Sequence, residues 1–173
     1  GVAEQVAKAL FNKGVSLGAL GRTEEELACL QTLTQRYGTR HEPGIAAWVS
    51  ASLILCGSRL TDLEQPDRAL QSFKQAFASS RSLMTDLVKA VFNTFVIYAA
   101  ARGHAALLLE ALRDSPAAQF LEPLVAALSM MTGQSYSAPR EVTEVAYDVI
   151  KRINELRQQF RSPDETEKTT ERS

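Results

Sequence analysis

Val6-Ala-Lys-Ala-Leu-Phe-Asn-Lys-Gly14 is the stretch on which the reading of this chain turns, because its pattern comes back twice. Val49-Ser-Ala-Ser-Leu-Ile-Leu-Cys-Gly57 echoes it, and Leu87-Val-Lys-Ala-Val-Phe-Asn-Thr-Phe95 echoes it again. Self-similarity on a scale of about 20–50 residues is the mark of an array in which one supersecondary unit is stacked on the next. Around these stretches the apolar residues fall at three-and-four spacing, and none sustains the alternation of a strand, so the chain reads as all-α.

Working outward, Val2 to Leu20 reads as the first helix, stopped by Gly21. Thr23 is expected to cap the second, with Glu26 completing a capping box and Glu24 and Glu25 favoured by the helix dipole. That helix ends near Tyr37-Gly38. The third covers 45–60, and Pro66 opens a fourth that reaches about Ser79. A fifth spans 83–101 and is stopped near Gly103, and a sixth runs 104–112. A seventh spans 115–131, with Pro123 inside it expected to kink or split it.

The last helix opens after Pro139 and reaches Phe160. Val142, Val145, Ala146, Val149, Ile153, Leu156 and Phe160 form one apolar stripe on it, opposite a charged face. An array must end with one polar side, so this reads as a terminal cap; a coiled-coil strand is the competing reading. Residues 161–173 hold no apolar side chain except Pro163 and are expected to be a disordered tail.

A length of 173 residues suits one domain, and 45% hydrophobic with 23% charged residues is ordinary for a globular one. A net charge of −1 offers no field for a phosphate backbone, which argues against nucleic acid as a partner. The longest apolar stretches, 46–56 and 91–101, fall short of the roughly 20 residues that span a bilayer. No signal peptide opens the chain, so no membrane partner is expected and the location reads as cytoplasmic. The start at Gly1, in mid-pattern, is expected of a piece of a longer protein.

Cys29 and Cys56 lie in apolar helical runs and read as buried free thiols in a reducing compartment, although a disulfide between them stays open from sequence. Only two histidines occur, His41 and His104, and neither belongs to a metal-binding motif. Neither a nucleophile elbow nor a phosphate loop is present. The expectation is therefore no enzyme, no cofactor and no metal.

The helix pairs resemble the tetratricopeptide repeat, in which a small residue on one helix faces an alanine on the next. Leu10, Gly14, Leu17, Gly21, Leu27, Leu30 and Leu33 carry the likeness in the first pair, and Leu53, Gly57, Ala69, Phe73 and Ala76 in the second. The third keeps Phe92, Ala99 and Gly103 but has Val96 where the small residue would sit. The spacing, 43 residues from Val6 to Val49 and 38 from Leu53 to Val91, exceeds the usual period of about 34. Such long-period arrays are similar to segments of large bacterial multidomain proteins.

Glu26 takes the place of the close-packing alanine, so either its stem turns outward or the first pair is splayed. The implied fold is a right-handed α-α superhelix over residues 1–160. It has pairs at 2–38, 43–80 and 83–114 and a C-terminal capping pair at 116–132 and 139–160.

The resemblance implies a concave groove that holds a peptide or partner-protein segment. Asn12 and Asn93 match the family's ligand-holding asparagine, and Lys8 and Lys89 lie one turn before them on the same face. Ala51 and Leu55 occupy these places in the second pair, giving an apolar middle. Trp48 is expected in the core between pairs. The competing reading is structural: the array packs on its own parent domains, or forms homo-oligomers through Val2, Val6 and Leu10 on its first helix.

Overall fold

The structure, a computed structural model, describes residues 1–78 and 85–161. These residues form helices α1 (Val2–Ala19), α2 (Thr23–Tyr37), α3 (Pro43–Asp62), α4 (Pro66–Phe77), α5 (Asp86–Ala99), α6 (Ala105–Arg113), α7 (Glu122–Met131) and α8 (Arg140–Phe160). The protein is all-α, with α1/α2, α3/α4 and α7/α8 packed as antiparallel pairs. The expected helix end at Ser79, the start at Leu83 and the tail from residue 162 lie outside the described residues.

Local chemistry accounts for most boundaries. Gly21 leaves α1 with φ 72°, a conformation that costs a residue without a Cβ little. Pro43 and Pro66 each sit in a first turn, where the missing N–H is no loss. Pro123 likewise belongs to the first turn of α7, so the helix expected over 115–131 is split, with a short 3₁₀ turn at Ala118–Phe120 ahead of it. Thr85 caps α5 by accepting from the Val88 amide at 3.4 Å. The capping box expected at α2 does not form: Thr23 is already helical, Arg22 holds the cap position, and Glu26 is engaged elsewhere.

The first two pairs share one contact plan. A methyl built on Gly14 would meet Leu30 Cδ2 at 2.8 Å, and one built on Gly57 would meet Phe73 Cε1 at 2.5 Å. Cys29 Sγ donates to the Leu10 carbonyl at 3.3 Å, and Ser72 Oγ donates to the Leu53 carbonyl at 2.8 Å. Each of these positions in the second pair lies 43 residues after its counterpart in the first. Glycine lets the helix axes approach closely, and a fully buried Leu30 or Phe73 fills the space beside it. Burying a side chain of that size contributes about 1.5–3 kcal/mol.

Beyond α4 the plan changes. α5 packs mainly on α3 and α8, and continues through a widened turn at Ala100–His104, where Gly103 has φ 97°, into α6. Instead of returning along α5, α6 packs on α4 and α7. The pair expected over 83–114 is therefore not built like the first two. Val96, with no exposed surface, fills the space a small residue would have left for a close helix approach.

Aromatic contacts tie the halves together. Phe11 of α1 packs on Trp48 of α3 at 5.3 Å between ring centroids and meets Phe95 of α5 edge-on at 5.5 Å. Trp48 thus bridges pairs, as its place in the sequence implied. In α8, Ala146, Val149 and Ile153 are buried, whereas Val145 and Phe160 at the flanks of the stripe stay exposed. Two helical segments, Pro43–Asp62 and Asp86–Arg113, are long and apolar enough to cross a membrane by length and composition. The 46–56 and 91–101 stretches understated them, because each helix continues through small and mildly polar residues. Most of either segment is buried inside the fold, 67% and 61% of the apolar window.

Candidate functional site

The residues singled out for a concave groove divide between two places. Lys8 and Asn12 are exposed on α1. Lys89 and Asn93 line a cleft of about 210 Å³ between α5, the start of α7 and α8, together with Ile97, Phe120, Val149 and Arg152. Lys89 Nζ lies 3.6 Å from Asp86 and 6.0 Å from the Phe120 ring centroid, so part of its charge is already engaged. Lys8 and Asn12 do not line that cleft. The apolar middle expected between the donor pairs is closed to a ligand: Ala51 and Leu55 are 0% and 5% exposed. α1, α3 and α5 meet through Phe11, Trp48 and Phe95, and Ala51 and Leu55 belong to the same core cluster. Apolar burial between the first helices has taken the surface a groove would have used.

A larger depression lies on the opposite helices. α2 and α4 run side by side over α3 and enclose a cleft of about 560 Å³ whose floor includes Ala46, Val49, Ser50 and Leu53. A second hollow of about 170 Å³ continues it past Gln31, Leu60 and Gln71, sharing Thr34, Leu53 and Gln75 with the first. The first volume lies within the roughly 300–1,000 Å³ of ligand sites, which the cleft at Lys89 does not reach. Arg40 stands at the mouth, its guanidinium forked onto Glu42, which holds that carboxyl down at about 2. Arg68, bonded to the uncharged Gln65, stands in the second hollow.

The fold also buries a polar cluster where α2, α3 and the turn before α6 meet. Glu26 has no exposed surface and accepts from Arg59 Nε at 2.8 Å. Its carboxylate lies over Gly18, where a methyl would come within 2.5 Å of it. Arg59 also approaches Asp62 at 3.6 Å, and Asp62 accepts from Arg102 at 2.9 Å. Burial pushes the Glu26 carboxyl above its ordinary range, outweighing the opposing charge and hydrogen bond of Arg59. Neither expectation for Glu26 holds: its stem does not turn outward, and the pair is not splayed, because glycine makes room and Arg59 supplies the counter-charge.

Asp62 extends the cluster to His104 Nε2 at 3.2 Å, and His104 Nδ1 lies 3.0 Å from Ser58 Oγ. A carboxylate only accepts, so Nε2–H donates to Asp62 and Nδ1 accepts from the Ser58 hydroxyl. Burial pushes the imidazole below its ordinary value, against the pull of Asp62, and keeps it neutral. A hydroxyl, imidazole and carboxylate in line have the makings of a nucleophilic relay. Ser58 is 1% exposed and His104 6%, so the hydroxyl is closed off from solvent, and the cluster joins α3 to the turn before α6.

Cys29 and Cys56 are free and buried, which closes the question of a disulfide between them. Burial, with the nearby Glu26 charge, pushes the Cys56 thiol up to about 12, so it stays protonated and unreactive. Among the described residues no group of three or more His, Cys, Asp or Glu could hold a metal ion.

No family model, curated protein or solved structure matches this chain. The sequence carried one signal that motif reading passes over: the glutamines of the α2–α4 groove stand one helical turn apart on each wall.

Proposed function

We propose that this chain is a non-catalytic protein-interaction module that takes a peptide segment of a partner protein in the groove between α2 and α4. The carrying observation is that groove: about 560 Å³, floored mainly by apolar side chains of α3 and walled mainly by polar ones, with Arg40 at its mouth and a further hollow, lined in part by Arg68, continuing it. The contact plan shared by the first two pairs at an interval of 43 residues supports a tetratricopeptide-like reading of this half as a superhelical array. Cytoplasmic location belongs to the same proposal, and two unpaired cysteines are consistent with it. The cleft with Lys89 and Asn93 is a secondary contact point, with room for a single side chain.

The test is selection of binders from a displayed library of short peptides, followed by a groove-filling variant. Thr34 lines both hollows, so Thr34→Trp should abolish binding of the selected peptides while leaving helicity and melting temperature close to the natural chain. Binding unchanged in Thr34→Trp, but lost in a Lys8/Asn12/Lys89/Asn93→Ala variant, would move the site to the faces those residues occupy. A second reading rests on Val2, which is 83% exposed at the start of α1. Self-association through that helix should then appear as a molar mass that rises with concentration and returns to the monomer value in Val2→Asp.

A further inference from the structure

We propose that the α2–α4 groove receives its partner as an extended strand and holds the strand's main chain through four glutamine side chains. This rests on the peptide-binding reading above and names the conformation and the groups that are recognised. Gln31 and Gln35 stand on the α2 wall, Gln71 and Gln75 on the α4 wall. The two helices run in the same direction here, since Gln31 shares a hollow with Arg68 and Gln71 while Gly38 shares one with Ala78. None of the four glutamine side chains makes a hydrogen bond among the described residues. Ser50 in the floor is 3% exposed and its hydroxyl has no hydrogen-bond partner among them either.

The spacing selects the ligand. Residues four apart on a helix advance about 6 Å along its axis. Backbone groups on one edge of an extended chain recur every second residue, about 6.6–6.8 Å apart. Two glutamines one turn apart on each wall therefore match successive N–H and C=O groups on that edge, and the small mismatch falls within the reach of a flexible side chain. Glutamine is suited to this because its amide donates and accepts, and every extended residue presents one donor and one acceptor. From Arg68 to Ala78 the α4 wall is roughly 15 Å long, room for four or five extended residues. A helical ligand has its backbone groups already paired and would leave the four amides without work. Arg40 is already engaged by Glu42, and Arg68 places one positive charge at the start of the α4 wall.

The probe is a pool of acetylated, amidated octapeptides, screened by fluorescence anisotropy, with the tightest member remade as single N-methyl analogues. Removing one N–H should weaken binding about tenfold at each of about four consecutive central positions, those facing α2 alternating with those facing α4. Gln31→Leu/Gln35→Leu and Gln71→Leu/Gln75→Leu should each lose about tenfold or more at unchanged melting temperature, the positions being on the surface. An octapeptide that is blocked by Thr34→Trp but is indifferent to N-methylation and to both glutamine pairs would overturn the strand reading and leave the module reading standing. Sensitivity at three-and-four spacing would overturn it in favour of a bound helix. No octapeptide binding at all would overturn both.

Discussion

The first and second helix pairs share two contacts at an interval of 43 residues, yet they close their interiors with opposite chemistry. At the position 43 residues before Ala69, the first pair carries Glu26, and both residues have no exposed surface. The methyl of Ala69 needs no partner. The carboxylate of Glu26 needs Arg59 from the next pair, a glycine at position 18 to lie over, and Asp62 and Arg102 to continue the network. One of its oxygens, Oε1, still has no hydrogen-bond partner among the described residues. The difference shows that one geometric plan tolerates either filler, and that the charged one binds pair to pair.

Arg59→Met gives the most severe break in this comparison. It strands a buried carboxylate and should cost about 3–5 kcal/mol at pH 7, read from denaturant unfolding. The cost should shrink as the solution is acidified. Glu26 has a folded-state pKa above its unfolded one, so its favourable contribution is present at low pH and lost as pH rises through the folded value. A loss that grew on acidification would sink this account of the pair.

Making the first pair like the second should undo most of that damage. The double variant Glu26→Ala/Arg59→Met removes both charges and should lie within about 1–2 kcal/mol of the natural protein, because the desolvation of two ions goes with them. If the double variant were as unstable as Arg59→Met alone, packing of the arginine stem and not its charge would be the main loss.

The glycines sharpen the comparison at a smaller scale. Gly57→Ala drives a methyl against the ring of Phe73 in a filled core and should cost about 1–3 kcal/mol. Gly14→Ala overlaps less, meeting Leu30 Cδ2 at 2.8 Å and Cγ at 3.0 Å, and the roughly 1 kcal/mol of helix propensity gained should bring it close to neutral. Thermal unfolding of the two variants side by side reads the difference directly.

His104 provides the smallest effect. Its folded-state pKa is depressed, so the unfolded chain takes up the proton first and stability falls as pH drops below about 6.5. His104→Gln should flatten that slope between pH 6.5 and 5 while losing less than about 1.5 kcal/mol at pH 8, where the histidine is already neutral.

Much of the helical layout was legible in the order of residues. Gly21, Pro43, Pro66 and the segment after Pro139 act through the backbone of their own neighbourhood, and the helices begin or end beside them as local chemistry requires. The capping box at Thr23 was also a local reading, and it failed because Glu26 gains a buried arginine that a cap cannot offer. The proposed site was less legible. Ala51 and Leu55 look like groove positions by alignment, but which first-helix faces stay open depends on how far α1 and α5 close over α3.

By itself, then, the sequence determined an all-α chain of helical segments, with both cysteines set in apolar helical runs. These follow from periodicity and from turn residues, whose effects reach only a few positions along the chain. The tertiary structure alone decided that α6 leaves α5 for α4 and α7, that Phe11 and Phe95 fill the inner face, and that an open groove lies between α2 and α4. It also decided that Glu26 is buried and paired. Each of these rests on contacts between residues tens of positions apart, where packing volume and desolvation, and no local preference, select the arrangement.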